Sequence, residues 1–333
     1  MKKVAVIALL AGLIASTGAT SSWGRTARSS DLLEVLPDGN AAAIIDFQKL
    51  SGSSLWAAFT SHEKFKGEID KAQSEIGDLG VKLSDLRTVA IVFPGANMTN
   101  PTVALTGDFN QNDLLARLGE GGKVKVTSEK YKNYDIYKTR STSASSPQSK
   151  KAHSGADAAN SNETAFVFHD ANTIVLGSAE GVRASIDVKT GAKPGIAKNE
   201  KLAAALAQNS AAAIRFALAI TPAMTSGLSS ELPIPDFSSV NLIFGTIDVS
   251  SGVDLNATLR NDTAEHAKSI ADRLNGLLDM AKGYLGSMSD PKLSPIVDAL
   301  KTVSITTADV DVKVTGNVPL ELLNRLLPAS EKK

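Results

Sequence analysis

The chain has 333 residues, 35 Lys plus Arg against 35 Asp plus Glu, and no cysteine. Disulfide frameworks, zinc ribbons, cysteine nucleophiles and lipid-attached cysteines are thereby excluded, and a neutral chain offers no electrostatic footprint for nucleic acid. Hydrophobic residues at 43 % and charged residues at 21 % permit a core over more than one ordinary domain length, while aromatics at 5 % are too sparse for stacking platforms.

Met1-Lys2-Lys3 is a short positive segment, Val4 to Ala15 an uncharged apolar run, and Ser16 to Trp23 small and polar. That run is too short to cross a bilayer comfortably, so residues 1–19 read as a cleavable signal peptide, with Thr17-Gly18-Ala19 placing cleavage after Ala19. The mature protein is therefore expected in the periplasm or outside the cell, mildly acidic once Lys2 and Lys3 are lost. No later stretch approaches about 18 consecutive apolar residues, so no transmembrane segment is expected in the mature chain.

Residues 20–30 read as a flexible leader, and the first strand is expected at Ala41 to Phe47. A helix follows, with Phe65, Ile69, Ala72 and Ile76 at helical spacing. Strands at Thr88 to Phe93 and Thr102 to Phe109 flank the turn Pro94-Gly95-Ala96-Asn97. Asn110 to Leu118 is a short helix capped by Asn110 or Asn112, stopped by Gly119, Gly121 and Gly122. Strands at Lys123 to Ser128 and Tyr134 to Lys138 come next, then a Ser-rich stretch, 139–163, without apolar periodicity, which reads as a disordered surface loop. Ala165 to Phe168, Thr173 to Leu176 and a helix from Ala179 to Val188 complete the first half.

The second half repeats this plan. Ala41-Ala42-Ala43-Ile44 has a counterpart in Ala211-Ala212-Ala213-Ile214 leading into Ile220, and Leu86 to Phe109 one in Val240 to Arg260. Thr164 to Gly177 aligns with Thr302 to Gly316 almost without a gap. On the long second-half helix, Ala267, Ile270, Ala271, Leu274, Leu277, Leu278, Ala281 and Leu285 form a continuous apolar stripe, with Asp262 and Glu265 at its start. Such a stripe must be covered, and Leu242-Phe244-Thr246 with Val253-Leu255-Ala257 is the expected cover. The fold class is α+β: two similar halves, residues 31–191 and 192–328 with a tail at 329–333, each an antiparallel sheet with helices packed on one face. Their sheets either join into one continuous curved sheet or stay separate.

Chemistry-bearing motifs do not cohere. No G-x-S-x-G occurs. Ser61 with Lys64, Ser289 with Lys292, Ser239-Val240-Asn241 and Lys189-Thr190-Gly191 supply the S-x-x-K, S-x-N and K-T-G vocabulary of serine β-lactamases, but Lys189 ends a helix and precedes the S-x-N. His62, His153, His169 and His266 are widely spaced in polar stretches, without an H-x-x-x-H pair. Asp108, Asn110 and Asn112 mimic a calcium loop, yet Asp113 and Gly119 occupy the glycine and bidentate-glutamate positions, so helix capping is the expected role. Asp309 and Asp311 alternate with Val310, Val312 and Val314, as on a half-exposed strand. Gly119 to Lys123 follows a helix and precedes a strand, the reverse of a phosphate loop, and Lys150-Lys151 is too short for a nucleic-acid surface. No catalytic, cofactor-binding or metal-binding residue is assigned.

The signal peptide, Leu36-Pro37 before an alanine-rich strand, Thr106-Gly107-Asp108-Phe109 before a helix, Tyr131 to Tyr137 before a variable loop, and Val175 to Arg183 together resemble a loose group of duplicated, secreted bacterial proteins of unknown function. The resemblance implies an extracytoplasmic location and a duplicated α+β fold, and it supplies no catalytic residue. The expectation is a non-enzymatic extracytoplasmic protein that binds an unknown protein or apolar ligand, without cofactor. Alternatives are a lipid or apolar-ligand carrier of the cell envelope, with a groove between the long helix and the sheet, and a serine hydrolase acting on cell wall.

Overall fold

The computed structural model describes residues 31–62, 65–67, 69–70, 73, 81–95, 98–120, 124–141, 163–224, 237–288 and 293–326. The expected signal peptide, leader and tail, and residues 142–162 of the Ser-rich stretch, lie outside these, as do Ala72 and Ile76.

The strands are β1 (Ala41–Asp46), β2 (Leu86–Phe93), β3 (Thr102–Gly107), β4 (Val124–Tyr131), β5 (Tyr134–Ser141), β6 (Glu163–Asp170) and β7 (Thr173–Gly177) in the first half. The second half supplies β8 (Ile214–Ala219), β9 (Val240–Asp248), β10 (Gly252–Asn261), β11 (Ser304–Ala308) and β12 (Asp311–Pro319). Between them run helices α1 (Phe47–Ser51), α2 (Ser54–Ser61), α3 (Gln111–Glu120), α4 (Ala179–Lys189), α5 (Glu200–Ala207), α6 (Ala264–Ser287), α7 (Ser294–Lys301) and α8 (Leu320–Leu326). All twelve strands form one antiparallel sheet, ordered β4-β5-β6-β7-β3-β2-β1-β8-β9-β10-β12-β11, open at β4 and β11. The two halves therefore join into one sheet, through β1 and β8, with Ala41 opposite Leu218 and Ile45 opposite Ile214.

Read outwards from that junction, the halves have the same strand order. β1-β2-β3-β7-β6 on one side corresponds to β8-β9-β10-β12-β11 on the other, and the hairpin β4–β5 continues the first half only. The segments that align in sequence, Thr164 to Gly177 and Thr302 to Gly316, occupy equivalent places as the β6–β7 and β11–β12 hairpins. Three boundaries differ from expectation. Thr139 to Arg140 and Glu163 to Thr164 pair across β5 and β6, so strands take up both ends of the Ser-rich stretch. Ala211 to Ala213 precede β8 instead of opening it, and the Ala213 carbonyl accepts the Asp46 N–H at 2.7 Å just beyond the paired strands. Gly316 lies inside β12, which runs on to Pro319.

Alternation along the central strands sends side chains to two cores. Ile45, Val89, Ile91, Val103, Leu105, Ile174 and Leu176 point to one face, where Trp56 of α2 and Leu114 and Leu118 of α3 pack against them. Their neighbours Ile44, Ala90, Val92, Ala104 and Val175 point to the other, covered by Val182 and Ile186 of α4, Leu202 and Leu206 of α5, and Leu32 to Leu36. Every residue of β3 and β7 is buried as a result. Helices thus cover both faces around the centre. Leu242 and Phe244 join this second core beside α5 and do not serve as cover for α6.

Candidate functional site

The second half departs from this closed packing. Helix α6 is 24 residues long, about 36 Å at 1.5 Å per residue. Thr263 is its N-cap and accepts the His266 N–H at 3.2 Å, while Asp262, expected in that role, instead meets His266 Nδ1 at 2.7 Å. The helix lies over β10, β12 and β11. Only its first third is sealed: Ala267, Ile270 and Ala271 are buried against Val240 and Val312, with Ile243, Leu259 and Ile305 beside them.

Beyond that point the expected cover runs out. Leu274, Leu278, Ala281 and Leu285 are half-buried, as are Val253, Leu255, Val314 and Val318 on the strands and Val297, Leu300 and Leu323 on α7 and α8. Leu277, Met280, Tyr284 and Met288, spaced three to four residues apart, form a second stripe that is 49 %, 68 %, 63 % and 40 % exposed. Ile296 of α7 is exposed as well. The apolar sector of α6 is wider than one sheet face can cover, leaving a wall of large apolar groups in water beside a half-buried layer.

The opposite face of these outer strands is polar. Arg260 makes a two-pronged ion pair with Asp311 at 2.8 and 2.9 Å, which raises the arginine pKa further, and Asn317 donates to Asp254. At the β11 edge, the two-residue turn Asp309-Val310 makes Ala308 and Asp311 the closing hydrogen-bonded pair. Alternation then turns the backbone groups of Ile305 and Thr307 outwards, and Asn275 of α6 donates to the Ile305 carbonyl at 3.3 Å.

The motifs singled out in the sequence are scattered. Ser61 is the last residue of α2 and donates to the Ala58 carbonyl at 2.8 Å. A helix C-terminus presents partial negative charge and no N–H groups, the opposite of what a developing oxyanion needs. Lys64, Ser289 and Lys292 lie outside the described residues, as do His153, Lys150 and Lys151 and residues 121–123. Ser239 is buried and donates to Asn261 Oδ1 at 3.1 Å. Lys189 ends α4 and Gly191 follows at φ +74°, a left-handed stop to the helix. Asn110 caps α3, accepting the N–H groups of Asn112 and Asp113, and Asp108 pairs with Arg87 at 2.6 Å. Asp309 sits in the β11–β12 turn at φ +51° and Asp311 is held by Arg260.

His169, expected in a polar turn, is instead buried. It follows Ala165 and Val167 at alternate positions of β6, which places its ring in the core, with Nε2 2.6 Å from Ser185 Oγ and the Tyr134 ring edge-on at 5.4 Å. Burial lowers its pKa to about 4, helped by the Lys189 charge and opposed by Asp170. Ser185 is wholly buried and His169 Nδ1 has no acceptor to orient it, so the pair lacks both substrate access and a third member. Nearby, Asp187 takes Lys132 at 2.6 Å, Lys193 at 3.4 Å and the Tyr131 hydroxyl at 3.0 Å, and the Lys132 hydrogen bond leads the lowering of its pKa. Glu129 likewise binds Lys138 and Arg183, which hold its carboxyl below the usual range. These ion pairs fasten the β4–β5 hairpin to α4.

No protein-family model and no curated protein matches the chain. Solved structures of TP0453 do. Its crystal form III is similar over 89 % of this chain and 97 % of that one, with 10 % identity and a TM-score of 0.50. Crystal form I covers 91 % and 98 %, with 8 % identity and a TM-score of 0.46. At 10 % identity the likeness to crystal form III is one of fold alone. No described helix is long and apolar enough to cross a membrane.

Proposed function

We propose that this is a non-enzymatic protein of the periplasm or cell exterior, belonging with the secreted duplicated α+β proteins it resembles, and that it works through binding at the α6 face. The observation that carries this reading is the exposed stripe Leu277, Met280 and Tyr284 on α6, continued by Met288 at its C-cap. Large apolar side chains contiguous in water mark an interaction surface. A second reading, a carrier of lipid or another apolar ligand, is favoured by the half-buried layer between α6, α7, α8 and strands β10 and β12.

The two readings part in one experiment. The secreted protein is analysed by native mass spectrometry and by capture from its own envelope extract, beside the double variant Met280→Glu, Tyr284→Glu. A protein-binding face gives an apo mass and a captured partner that the variant loses, with its unfolding free energy within about 1 kcal/mol of the parent, since both positions are exposed. A carrier gives co-purifying lipid in both proteins. An apo mass together with identical capture by parent and variant refutes both.

A further inference from the structure

The sheet ends in two edges of different character. β4 is guarded: Lys125 and Lys130 are exposed along it and Glu129 is held in ion pairs, and charges of this kind keep an edge from pairing with another chain. β11, Ser304-Ile305-Thr306-Thr307-Ala308, carries no charge and no proline, and its register with β12 is regular throughout. Ile and Thr are strong strand formers, so such an edge is a template for another strand. Because Ser304, Thr306 and Ala308 bond inwards to β12, the N–H groups of Ile305 and Thr307 point away from the sheet, and among the described residues neither has a partner. The Asn275 amide takes one lone pair of the Ile305 carbonyl and leaves the other.

We infer that β11 pairs with β11 of a second copy of this chain, antiparallel about a two-fold axis through Thr306. In an antiparallel pair outward groups face outward groups, so Ile305 stands opposite Thr307 of the other copy, and Thr307 opposite its Ile305. The same register sets Thr306 against Thr306 and Ser304 against Ala308, so the whole strand is paired. A slip of two residues either way, the smallest that keeps outward groups together, leaves only three of the five residues of β11 paired. Thr opposite Thr is a favourable cross-strand pair, and no like charges meet along the seam. Above it, the face of α6 that bears Asn275 also bears Lys268, Asp272, Asp279 and Lys282, at spacings of three, four and seven residues, so two copies bring together faces of no net charge. Leu277, Met280 and Tyr284 stand roughly 140–180° round the helix from Asn275 and remain free in the dimer. Such an isologous contact closes at two subunits.

The chain has no cysteine, so a single introduced thiol reports on its own symmetry mate. Thr306→Cys sets two thiols opposite each other at a non-hydrogen-bonded position, where Cα atoms about 4.5 Å apart lie within disulfide range. Ser304→Cys leaves them four residues apart along the strand, roughly 13 Å, out of range. Under mild oxidation the secreted Thr306→Cys protein should give a covalent dimer at least about tenfold faster than Ser304→Cys. Sedimentation equilibrium of the parent should show dimer by about 100 µM. Thr306→Lys, which sets like charges on the axis, and Thr307→Pro, which removes an outward N–H and leaves the β12 pairing intact, should each weaken the dimer at least about tenfold. Both side chains are exposed, so circular dichroism should be unchanged. Met280→Glu, Tyr284→Glu should dimerise like the parent, which separates this contact from the α6 stripe. A parent that stays monomeric, a dimer that survives Thr306→Lys, or equal crosslinking through Ser304→Cys overturns the inference. A monomeric parent that captures a protein from envelope extract, lost in Thr306→Lys, would assign the edge to a foreign strand and overturns the second copy.

Discussion

His169 makes the stability of this protein pH-dependent between pH 6.5 and about pH 4. Its imidazole has a pKa of about 4 in the fold, chiefly because burial disfavours the cation, against 6.5 when free. The unfolded chain therefore takes up a proton at a pH where the folded one still refuses it, and linkage requires stability to fall as pH falls from 6.5 towards 4. At pH 5 the unfolded imidazole is almost fully protonated and the folded one mostly neutral, a difference of about 2 kcal/mol, rising to about 3.4 kcal/mol below pH 4 at 1.36 kcal/mol per unit. Above pH 7 the group contributes almost nothing of this kind. Urea unfolding of the parent and His169→Gln at pH 7 and pH 5 isolates the effect, because every other group is common to the two proteins and cancels in the comparison. The variant has a lower stability at pH 7, having disturbed the 2.6 Å contact with Ser185, yet it should lose about 2 kcal/mol less than the parent on going to pH 5. Parallel losses, within about 0.5 kcal/mol, would mean that the folded imidazole protonates freely and that the buried position is wrong.

Two further substitutions probe the packing. Gly245 lies in β9 where an added Cβ would stand 2.2 Å from the Asn256 carbonyl oxygen and 2.9 Å from Ala257 Cα, both backbone atoms of the paired strand, so Gly245→Ala should cost about 3 kcal/mol or more in urea unfolding; a loss under about 1 kcal/mol would show that the strands can separate there. Ile186 of α4 is wholly buried, and Ile186→Ala should cost about 2–5 kcal/mol, whereas Leu277→Ala on α6, 49 % exposed, should stay within about 0.5 kcal/mol in the same assay; equal costs would contradict the open packing assigned to α6.

Most strands were legible because they alternate over short runs bounded by Gly, Pro and Asn, and the repeat of hairpins located their equivalent places. Helix α5 was missed although its signals are present: Asn199 caps it by accepting the Leu202 N–H, Glu200 follows, and Leu202, Ala205 and Leu206 share a face. A short alanine-rich run simply carries little contrast between its faces. His169 shows the same gap between residue type and position. Its polarity suggested a turn, while its parity with Ala165 and Val167 pointed into the core, and parity decides because one residue of register turns a side chain to the other face. The α6 stripe was read as a face needing cover, but Leu277, Met280 and Tyr284 lie on the side of the helix turned away from the strands, which helical spacing alone does not reveal.

The two halves share a strand order and differ in how it is filled, and that difference locates the binding face. In the first half, α3 packs Leu114 and Leu118 into one core while α4 buries Val182 and Ile186 in the other, so both faces are closed. In the second half, the equivalent of α3 is α6, more than twice as long, and the outer face of β10 and β12 carries Asp254, Arg260, Asp311 and Asn317 instead of a helix-covered apolar surface. A short helix such as α3 can be covered along its length by the strands beneath it. Helix α6, of 24 residues, carries an apolar sector wider than the strands beneath it cover, and apolar residues left in water stabilise the monomer little. Leu277, Met280, Tyr284 and Met288 are therefore better explained by what they meet than by what they hold together.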